Sequence, residues 1–376
     1  MFSFFRRANI FQKLFILIAA AAVLCYATAS LSSFISPLYF WPFTMLALIF
    51  PFILTVYLLI IVLSIFIFRK ISLYLFIVLF FGWKNISSVF AFHFNHTFQK
   101  EQRADIRLIS WNVDEFINSE KKCDTTGSKA QQMFSFIKEI NADILCFQDF
   151  VNFTGEAYRH NFEYLRDSLH FSYAYFPIDY TYDLAGTKRQ YGVAIFSKFP
   201  IVATKQLEYW NEENEKFIYV DVLVKDKIVR LYSAHLKSMG IHTKYRTNNS
   251  EEDFLKSDTA LFFHRSNLRT LKYFDRIHVD QAMCITRSLD TTSVPYVFCA
   301  DLNSVPSSYT YQTLKKNLQD AFLENGFGVG KTYDSISPTL RIDVVLLNKQ
   351  LRAVQQNTPH LKLSDHYPNV VDISLQ

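Results

Sequence analysis

The chain has 376 residues, a formal net charge of +5 and 17% aromatic residues, a length that suits one large α/β domain and a shorter unit. The first 100 residues contain seven basic and no acidic residues, so 32 basic and 34 acidic residues remain after them, a formal charge of −2. The near-neutral remainder excludes a broadly basic nucleic-acid-binding surface, and five cysteines without CxxC spacing argue against a disulfide or zinc framework.

Three apolar stretches at the N-terminal end predict membrane-spanning helices. Residues 14–35 and 40–68 carry no charge, and each is long enough for a hydrocarbon core that needs about 20 residues. Residues 71–92 form a third span if Lys84 lies near an interface. Because several long apolar runs follow one another, they indicate a permanent membrane anchor over residues 1–100 rather than a cleaved signal peptide.

The basic residues beside these stretches predict their orientation. Three basic residues precede the first span, and Arg69 and Lys70 separate the second from the third. The positive-inside rule places both segments in the cytoplasm. Three spans therefore predict that residues 101–376 lie outside the cytoplasm, whereas two spans would place them inside.

Short β-rich runs alternate with helical patterns after the anchor and predict an α/β domain over residues 101–376. The predicted strands cover residues 106–110, 144–147, 193–196, 217–224, 228–233, 296–299 and 342–347. Helices are predicted over residues 130–140 and 258–289. The polar stretch at residues 240–257 is interpreted as a loop that faces the substrate.

Polar residues fall at the ends of five predicted strands. They are Asn112, Asp149, His235, Asp301, Asn303, Asp365 and His366. Ligands of open α/β sheets bind beyond strand ends, so these side chains are expected to surround one pocket. Each residue alone is as compatible with a turn, a cap or a core position, and it is their joint occurrence that favours a functional site.

Asp343 is unusual because it lies within the apolar run RIDVVLL. An unpaired carboxylate there would cost several kcal/mol, so Asp343 needs a partner. The two candidates are Arg341, in a structural ion pair, and a catalytic histidine.

Seven short motifs stand in order along the C-terminal domain. They are SWNV (110–113), DILCFQD (143–149), YGVAIFSKFPI (191–201), AHLKS (234–238), ADLNSVP (300–306), RIDVVLL (341–347) and SDHYP (364–368). Each is weak alone, but the set resembles the endonuclease/exonuclease/phosphatase superfamily in a membrane-anchored bacterial form. The resemblance implies a four-layer sandwich of two mixed β-sheets flanked by helices, a phosphoester hydrolase, and attachment to a bacterial inner membrane.

The resemblance also implies roles for the metal and the base. Asp149 stands where the family has a metal-binding glutamate, and with Asp365 and Asn112 it would hold Mg²⁺, or alternatively Mn²⁺. His366 would be the general base that takes a proton from the attacking water, oriented by Asp343. Asp149 is one methylene, about 1.5 Å, shorter than glutamate. This departure predicts weaker affinity for the metal or a preference shifted toward Mn²⁺.

The remaining candidates would contact the substrate. Asp301 and Asn303 would position the water and hold a phosphate oxygen. His235 would donate a hydrogen bond or a proton at the phosphate or the leaving oxygen, which offsets developing charge. Arg341 is a further candidate for substrate binding.

Three functions are compatible with these residues. The first is a phosphodiesterase or phosphatase acting on a phospholipid head group or an inositol phosphate, favoured by the membrane anchor and the −2 charge. The second is a nuclease acting on DNA or RNA, in which Lys188 and Arg189 would contact the backbone. The third is a degenerate domain that binds a ligand without turnover, suggested by Asp149. No obligate protein partner is inferred.

Overall fold

The computed structural model describes residues 9–94, 97–116, 128–154, 160–184, 187–210, 215–238, 265–335 and 337–376. The chain forms two compact units. The helical unit comprises Met1–Val89 and Val305–Gln312, and the α/β unit comprises Phe90–Ser304 and Thr313–Gln376. These bounds differ from the predicted single division at residue 100, because eight residues far along the chain belong to the helical unit.

Three apolar helical segments dominate the helical unit. They contain α1 (Ile10–Ser30), α2 (Pro42–Ile67), α3 (Arg69–Leu79) and α4 (Trp83–Val89), with 3-10 turns at Leu31–Ser33 and Phe80–Gly82. Ile10–Ser33, Pro42–Ile67 and Arg69–Val89 are long and apolar enough to cross a membrane, with mean hydropathies of 2.3, 2.9 and 1.4. The third segment ends at Val89 rather than at residue 92.

Two tyrosine hydroxyls inside these helices donate to backbone carbonyls, which an apolar environment favours. The rings of Tyr26 and Tyr57 stack with centroids 4.3 Å apart. The Tyr26 hydroxyl donates to the Leu79 carbonyl, and the Tyr57 hydroxyl donates to the Leu75 carbonyl, at 2.7 and 2.8 Å. These bonds join α1 and α2 to α3.

The segment Val305–Gln312 makes specific hydrogen bonds within the helical unit. The Ser307 hydroxyl donates to the Ala47 carbonyl at 2.7 Å, and the Ser32 hydroxyl donates to the Ser307 carbonyl at 2.9 Å. The Gln312 amide donates to the Ser88 hydroxyl at 2.8 Å. The residues that follow the ADLNS motif are therefore bonded to three different helical segments.

Two mixed sheets form the centre of the α/β unit. The strands are β1 (Ala91–Phe92), β2 (Ile106–Asn112), β3 (Ile144–Phe153), β4 (Tyr173–Tyr175), β5 (Tyr180–Leu184), β6 (Thr187–Ser197), β7 (Ile201–Glu208), β8 (Lys216–Val224), β9 (Lys227–His235), β10 (Tyr296–Asp301), β11 (Gln319–Asp320), β12 (Phe327–Gly328), β13 (Asp343–Leu347), β14 (Leu351–Asn357) and β15 (Asn369–Leu375). The first sheet has the order β11-β13-β10-β9-β8-β7, and the second has β14-β15-β2-β3-β6-β4, with β5 also on β6. Only β9–β10 and β2–β3 are parallel among these pairs.

Four layers result from how the apolar faces pack. Leu108 of the second sheet and Leu231 of the first lie in one core between the sheets. A second core lies on the other face of the second sheet, where Met133 of α5 (Lys129–Ile140) packs with Phe147. On the first sheet, Tyr232 hydrogen-bonds Ser288 of α7 (Arg265–Asp290) at 3.2 Å. The predicted sandwich of two mixed sheets flanked by helices is confirmed.

Two shorter helices complete the unit, α6 (Asn161–Glu163) and α9 (Ala321–Asn325), while α8 (Tyr309–Lys315) begins in the segment that belongs to the helical unit. The seven strands predicted by residue range are present, and most are longer than predicted. The run LKL at residues 361–363, predicted as the fifth strand end before Asp365, is instead part of a loop. The helix predicted over residues 258–289 is found as Arg265–Asp290. Its first residues and the proposed loop at residues 240–257 lie outside the described residues.

Candidate active site

Three candidate residues form one row across the first sheet. His235 ends β9 and is the register partner of Asp301 at the end of β10. Asp301 is in turn the register partner of Asp343, the first residue of β13. Strand pairing alone therefore brings together three residues separated by more than 100 positions in the sequence.

The second sheet supplies Asn112 and Asp149 from two parallel strands. Asn112 ends β2 opposite Gln148, and Asp149 lies in a β-bulge of β3. The Asn112 side-chain amide donates to Asp149 Oδ2 at 3.3 Å and to Asp301 Oδ2 at 2.9 Å. Asn112 thus connects the carboxylates of the two sheets.

Asp149 has a left-handed backbone, with φ of 47°. Asp and Asn are enriched several-fold among non-glycine residues in this region, because their short side chains bond locally. A bulge re-aims the side chain that it carries. These two features give a local reason for aspartate at a position where the resemblance expects glutamate.

The loop before β15 carries Asp365 and His366 and is hydrogen-bonded to β2. The Ser364 hydroxyl donates to the Asn112 carbonyl at 2.9 Å, and the Trp111 indole donates to the His366 carbonyl at 2.9 Å. His366 is 5% exposed, while the Asp365 side chain is 33% exposed. The loop therefore buries the imidazole and leaves the neighbouring carboxylate accessible.

Both imidazoles converge on one carboxylate oxygen. Asp301 Oδ2 lies 3.5 Å from His235 Nε2 and 3.7 Å from His366 Nε2. His366 Nδ1 donates to Asp343 Oδ2 at 2.9 Å. This bond answers the question left open by the sequence, because the partner of Asp343 is the histidine rather than Arg341.

Asn303 lies at the edge of the same pocket. Its backbone is left-handed, with φ of 45°, and its N–H donates to Asp301 Oδ1 at 2.9 Å. Its side-chain amide donates to the Leu236 carbonyl at 2.9 Å and lies 3.3 Å from His235 Nε2. The amide is thus held against the catalytic candidates by two loops.

Burial and charge shift the pKa values of the His366–Asp343 pair. Burial alone lowers the pKa of His366, but Asp343 and Asp301 outweigh it and hold that pKa well above 6.5. Burial raises the pKa of Asp343 to about 6 despite the neighbouring imidazole. The pair resembles the carboxylate–imidazole arrangement that fixes the tautomer of a general base.

His235 is in a similar environment beside Asp149. Its Nδ1 lies 3.2 Å from Asp149 Oδ1. Burial lowers the pKa of His235, yet Asp149 and Asp301 outweigh it and raise the pKa to about 10. Burial raises the pKa of Asp149, but the charges of His235 and His366 and the hydrogen bonds from His235 and Asn112 together lower it by more. The raised pKa favours the protonated form of His235, which can donate a hydrogen bond to an anion.

The donor set fits a hard divalent cation. Asp149, Asp301, Asp343 and Asp365 bring four carboxylates around two imidazoles, and Asp301 and Asp343 are 1% and 2% exposed. The four carboxylates outnumber the two imidazoles, so a divalent cation would offset the excess negative charge. Carboxylate oxygens are the ligands that Mg²⁺ and Mn²⁺ prefer.

The tightest cluster of ligand atoms differs from the predicted metal set. Within the described residues, Asp301, Asp343 and His366 offer atoms that all lie within 4.8 Å of one another. The hydrogen bond between Asp343 and His366 accounts for much of this proximity. Asn112, a predicted ligand, turns its amide nitrogen toward the carboxylates, while its oxygen accepts from the Asp114 N–H at 3.0 Å. The predicted set of Asp149, Asp365 and Asn112 remains a prediction.

Arg341 does not join the other candidates. Its side chain is 1% exposed and donates to Asp320 Oδ2 at 2.7 Å, with Phe322 beneath the guanidinium at 4.9 Å. A guanidinium buried in an ion pair is unavailable to a phosphate. The structure therefore gives no support to substrate binding by Arg341, whose contacts are those of a structural residue.

Sequence reasoning missed the residues that hold the site in place. The Thr332 hydroxyl accepts from the Asp343 N–H at 3.1 Å, and the Tyr333 ring lies 4.8 Å from the His366 ring. On α7, His278 Nε2 donates to the Lys237 carbonyl at 2.7 Å. Its Nδ1 lies 3.2 Å from the Ser304 hydroxyl. For His278 the sequence did contain a signal, because a histidine on the apolar face of a predicted amphipathic helix indicates a buried imidazole that needs hydrogen-bond partners.

The buried His278 is expected to make the free energy of unfolding depend on pH. Burial lowers its pKa to about 4, so the folded protein resists protonation that the unfolded chain accepts below about 6.5. The free energy of unfolding is expected to fall by up to about 3 kcal/mol as the pH falls from 6.5 to 4. Denaturant unfolding of the detergent-solubilised chain by near-UV circular dichroism, compared with His278→Gln, measures this slope. The exposed His360→Gln is the matched control, and an unchanged slope in His278→Gln would contradict the assignment.

Solved structures with similar architecture share little sequence with this chain. The human nocturnin catalytic domain is 16% identical, with 72% of this chain and 93% of that chain covered and a TM-score of 0.49. An endonuclease/exonuclease/phosphatase from Beutenbergia cavernae is 17% identical, with 73% and 72% covered and a TM-score of 0.48. A mannosyl-6-phosphatase from Bacteroides thetaiotaomicron is 11% identical, with 72% and 100% covered and a TM-score of 0.46.

Comparison with sequence families separates the two parts of the chain. No curated protein matches. Residues 12–89 match a domain family of unknown function. Residues 109–366 match the Endonuclease/Exonuclease/phosphatase family, and this match covers more than half of the chain. The protein therefore belongs to the Endonuclease/Exonuclease/phosphatase family, whose members are hydrolases acting on phosphoesters.

Proposed function

We propose that the chain is a membrane-anchored, divalent-metal-dependent phosphodiesterase or phosphatase. The observation that carries the proposal is the position of Asp301 Oδ2 within 4 Å of both His235 and His366. A base, a cationic donor and a carboxylate thus meet at one point. That is the set needed to activate water and to bind a phosphoryl group.

His366 is the general base of the proposed mechanism. Its Nδ1 hydrogen is bound to Asp343, so its Nε2 is the atom that accepts a proton from water. The Trp111 and Ser364 contacts fix the backbone of His366, and the bond to Asp343 orients its ring. Asp343 then stabilises the imidazolium that forms.

His235 and Asn303 bind the phosphoryl group. Protonated His235 donates to a phosphoryl or leaving oxygen, where charge increases in the transition state. The Asn303 amide, 3.3 Å from His235 Nε2, provides a second donor. Asp301 orients both through its two oxygens, since Oδ1 accepts from the Asn303 N–H and Oδ2 faces His235.

Asp149 and Asp365 are the residues proposed to hold Mg²⁺ or Mn²⁺. Both side chains are partly exposed, at 44% and 33%, so a hydrated ion can reach them. When bound, the ion would supply Lewis-acid stabilisation of the phosphoryl oxygens. Because the bulge redirects the side chain of Asp149, we expect this carboxylate to contact the ion despite its short length.

The anchor favours a phosphoester at a membrane surface. Three candidate spans, with basic residues before the first and between the second and third, support an α/β unit outside the cytoplasm of a bacterium, at its inner membrane. A phospholipid head group is therefore the favoured substrate class, and an inositol phosphate is the soluble alternative substrate.

Hydrolysis of a substrate panel tests the proposal. The detergent-solubilised chain is assayed with a phosphocholine lipid, an inositol phosphate and plasmid DNA, in Mg²⁺ and in chelator. We expect turnover of the lipid that chelator abolishes and Mg²⁺ restores. Turnover that is unaffected by chelator, or equal in His366→Ala, would contradict the proposal.

The same panel separates two other functions. A nuclease would cut the plasmid, and its binding would weaken steeply with salt because phosphate contacts release counterions. Lys188 on the exposed end of β6 is the residue that favours this reading. A degenerate domain would bind a ligand without turnover in any metal.

A further inference from the structure

A short two-stranded sheet of the α/β unit carries an exposed aromatic patch. Phe92 of β1 is the register partner of Phe327 of β12, and the Phe94 ring lies 4.9 Å from the Phe327 ring. Phe92, Phe94 and Phe327 are 55%, 79% and 54% exposed. Strand pairing places Phe92 opposite Phe327, and the ring contact places Phe94 beside Phe327, so the three side chains are neighbours. We call these three residues the aromatic patch.

The two short segments that carry the patch, residues 85–99 and 325–330, contain no Lys, Arg, Asp or Glu, and its three side chains are exposed. Gly328, next to Phe327, has φ of 82°, and a Cβ placed there would meet no atom within 4 Å. Large aromatic side chains clustered on a surface mark an interaction site rather than a core.

The position of the patch in the chain indicates its partner. The third apolar segment, Arg69–Val89, has 21 residues and would span about 30 Å, the thickness of a hydrocarbon core. Phe92 follows its end by three residues, a reach of at most about 10 Å. The polar interface begins where the hydrocarbon core ends, and interfacial segments insert Trp, Phe and Leu side chains at that boundary.

We propose that the aromatic patch is a membrane-docking surface, with Phe92, Phe94 and Phe327 inserted at the boundary between lipid head groups and acyl chains. Phe327 comes from a segment more than 200 residues away in sequence, and strand pairing with β1 brings it to the same boundary. The docking site thus includes a part of the α/β unit distant in sequence from the anchor.

The patch is also close in sequence to two residues that contact the catalytic candidates Asp343 and His366. Thr332, which accepts from the Asp343 N–H, follows Phe327 by five residues, and Tyr333 lies against His366. A phosphoester at head-group depth is therefore the substrate class that docking favours. This extension to the substrate rests on the proposed hydrolase function, whereas docking itself does not.

Fluorescent labelling in vesicles tests the docking directly. In the full chain with Cys25 and Cys123 changed to serine, Phe327→Cys is labelled with an environment-sensitive nitrobenzoxadiazole and reconstituted into phosphatidylcholine–phosphatidylglycerol vesicles. Tyr182→Cys is the matched control, since Tyr182 is an aromatic residue of the same unit and is 58% exposed. Compared with the Tyr182→Cys label, we expect the Phe327→Cys label to be quenched several-fold more by lipid-borne nitroxide and less by aqueous iodide.

Two outcomes would overturn the docking. The first is equal quenching of the two labels by iodide with no effect of nitroxide lipids. The second is protection that changes with the protein-to-lipid ratio but not with nitroxide lipids, which would indicate a second copy of this chain on the patch. Neither outcome requires enzymatic turnover, so this test remains decisive if the proposed function fails.

Kinetics on two substrates test the consequence for the substrate. We expect Phe92→Ser/Phe94→Ser/Phe327→Ser to lose about tenfold in rate on a vesicle phospholipid and to keep its kcat/KM on soluble bis(p-nitrophenyl) phosphate. Tyr182→Ser should retain both activities. An equal loss on both substrates, or no loss on either, would contradict a docking role in catalysis, while inactivity of the unmodified chain would count against the hydrolase function alone.

Discussion

Replacing His366 with alanine is expected to lower kcat by about 10²- to 10⁴-fold, the usual contribution of a positioned general base. Because Asp343 occupies Nδ1, the imidazole Nε2 is the atom available to take the proton of water. Substrate binding should change little, since the proposed phosphate contacts lie on His235 and Asn303. Steady-state kinetics on a soluble phosphodiester, with near-UV circular dichroism to verify folding, measures the effect.

His360→Ala is the matched control for this experiment. His360 is exposed and its ring stacks on Tyr367 at 4.5 Å, close in sequence to the catalytic loop. We expect this variant to keep kcat within about twofold. A His366→Ala variant that folds and retains activity within a few-fold would refute the assignment of the base.

Asp343→Asn tests the same pair through its pH profile. The carboxylate holds the pKa of His366 high, so the neutral imidazole that serves as base is populated only at higher pH. Removing the charge lowers that pKa, and the acidic limb of kcat/KM is expected to move to lower pH by about 1 to 3 units. The plateau rate should fall as well, because the asparagine no longer fixes the tautomer. A shift toward higher pH would contradict this account.

Replacing Asp149 with alanine is expected to weaken metal binding at least about tenfold, by loss of a carboxylate ligand. Titration calorimetry of Mg²⁺ and Mn²⁺ into chelator-treated protein measures the affinity, and the metal dependence of the rate measures its consequence. Asp149→Glu is the conservative variant. It restores the charge and lengthens the side chain, at the cost of a backbone with φ of 47° that glutamate adopts less readily.

Asp343→Asn distinguishes between the two possible positions of the metal ion. If the ion binds at Asp149 and Asp365, this variant should keep its metal affinity while losing activity. Loss of affinity in Asp343→Asn, combined with unchanged affinity in Asp149→Ala, would instead place the ion among Asp301, Asp343 and His366.

The convergence of the site could be predicted because it follows from strand ends. His235, Asp301 and Asp343 lie next to predicted strands, and parallel or antiparallel pairing sets them in one row. The choice between Arg341 and His366 as the partner of Asp343 could not be made from the sequence. It depends on Asp320, a helix cap whose carboxylate binds Arg341, and on which loop closes over the pocket.

Features that depend on tertiary packing escaped the sequence analysis. The bulge at Asp149 has no local signal, because an extra residue in a strand is defined only by its partner strand. The membership of residues 305–312 in the helical unit is equally invisible, since hydrogen bonds such as that from Ser307 to Ala47 join segments 260 positions apart. Strands β14 and β15 were missed because polar residues interrupt their apolar pattern.

The single oxygen Asp301 Oδ2 faces two imidazoles, and this has a consequence for how kinetic data should be interpreted. The charge of Asp301 raises the pKa of both His235 and His366, so an Asp301→Asn variant would alter two titrations at once. Any bell-shaped profile then yields macroscopic constants that belong to the network and not to one ring. Energetic effects of paired substitutions among these three residues would be non-additive, and a thermodynamic cycle is needed to divide them.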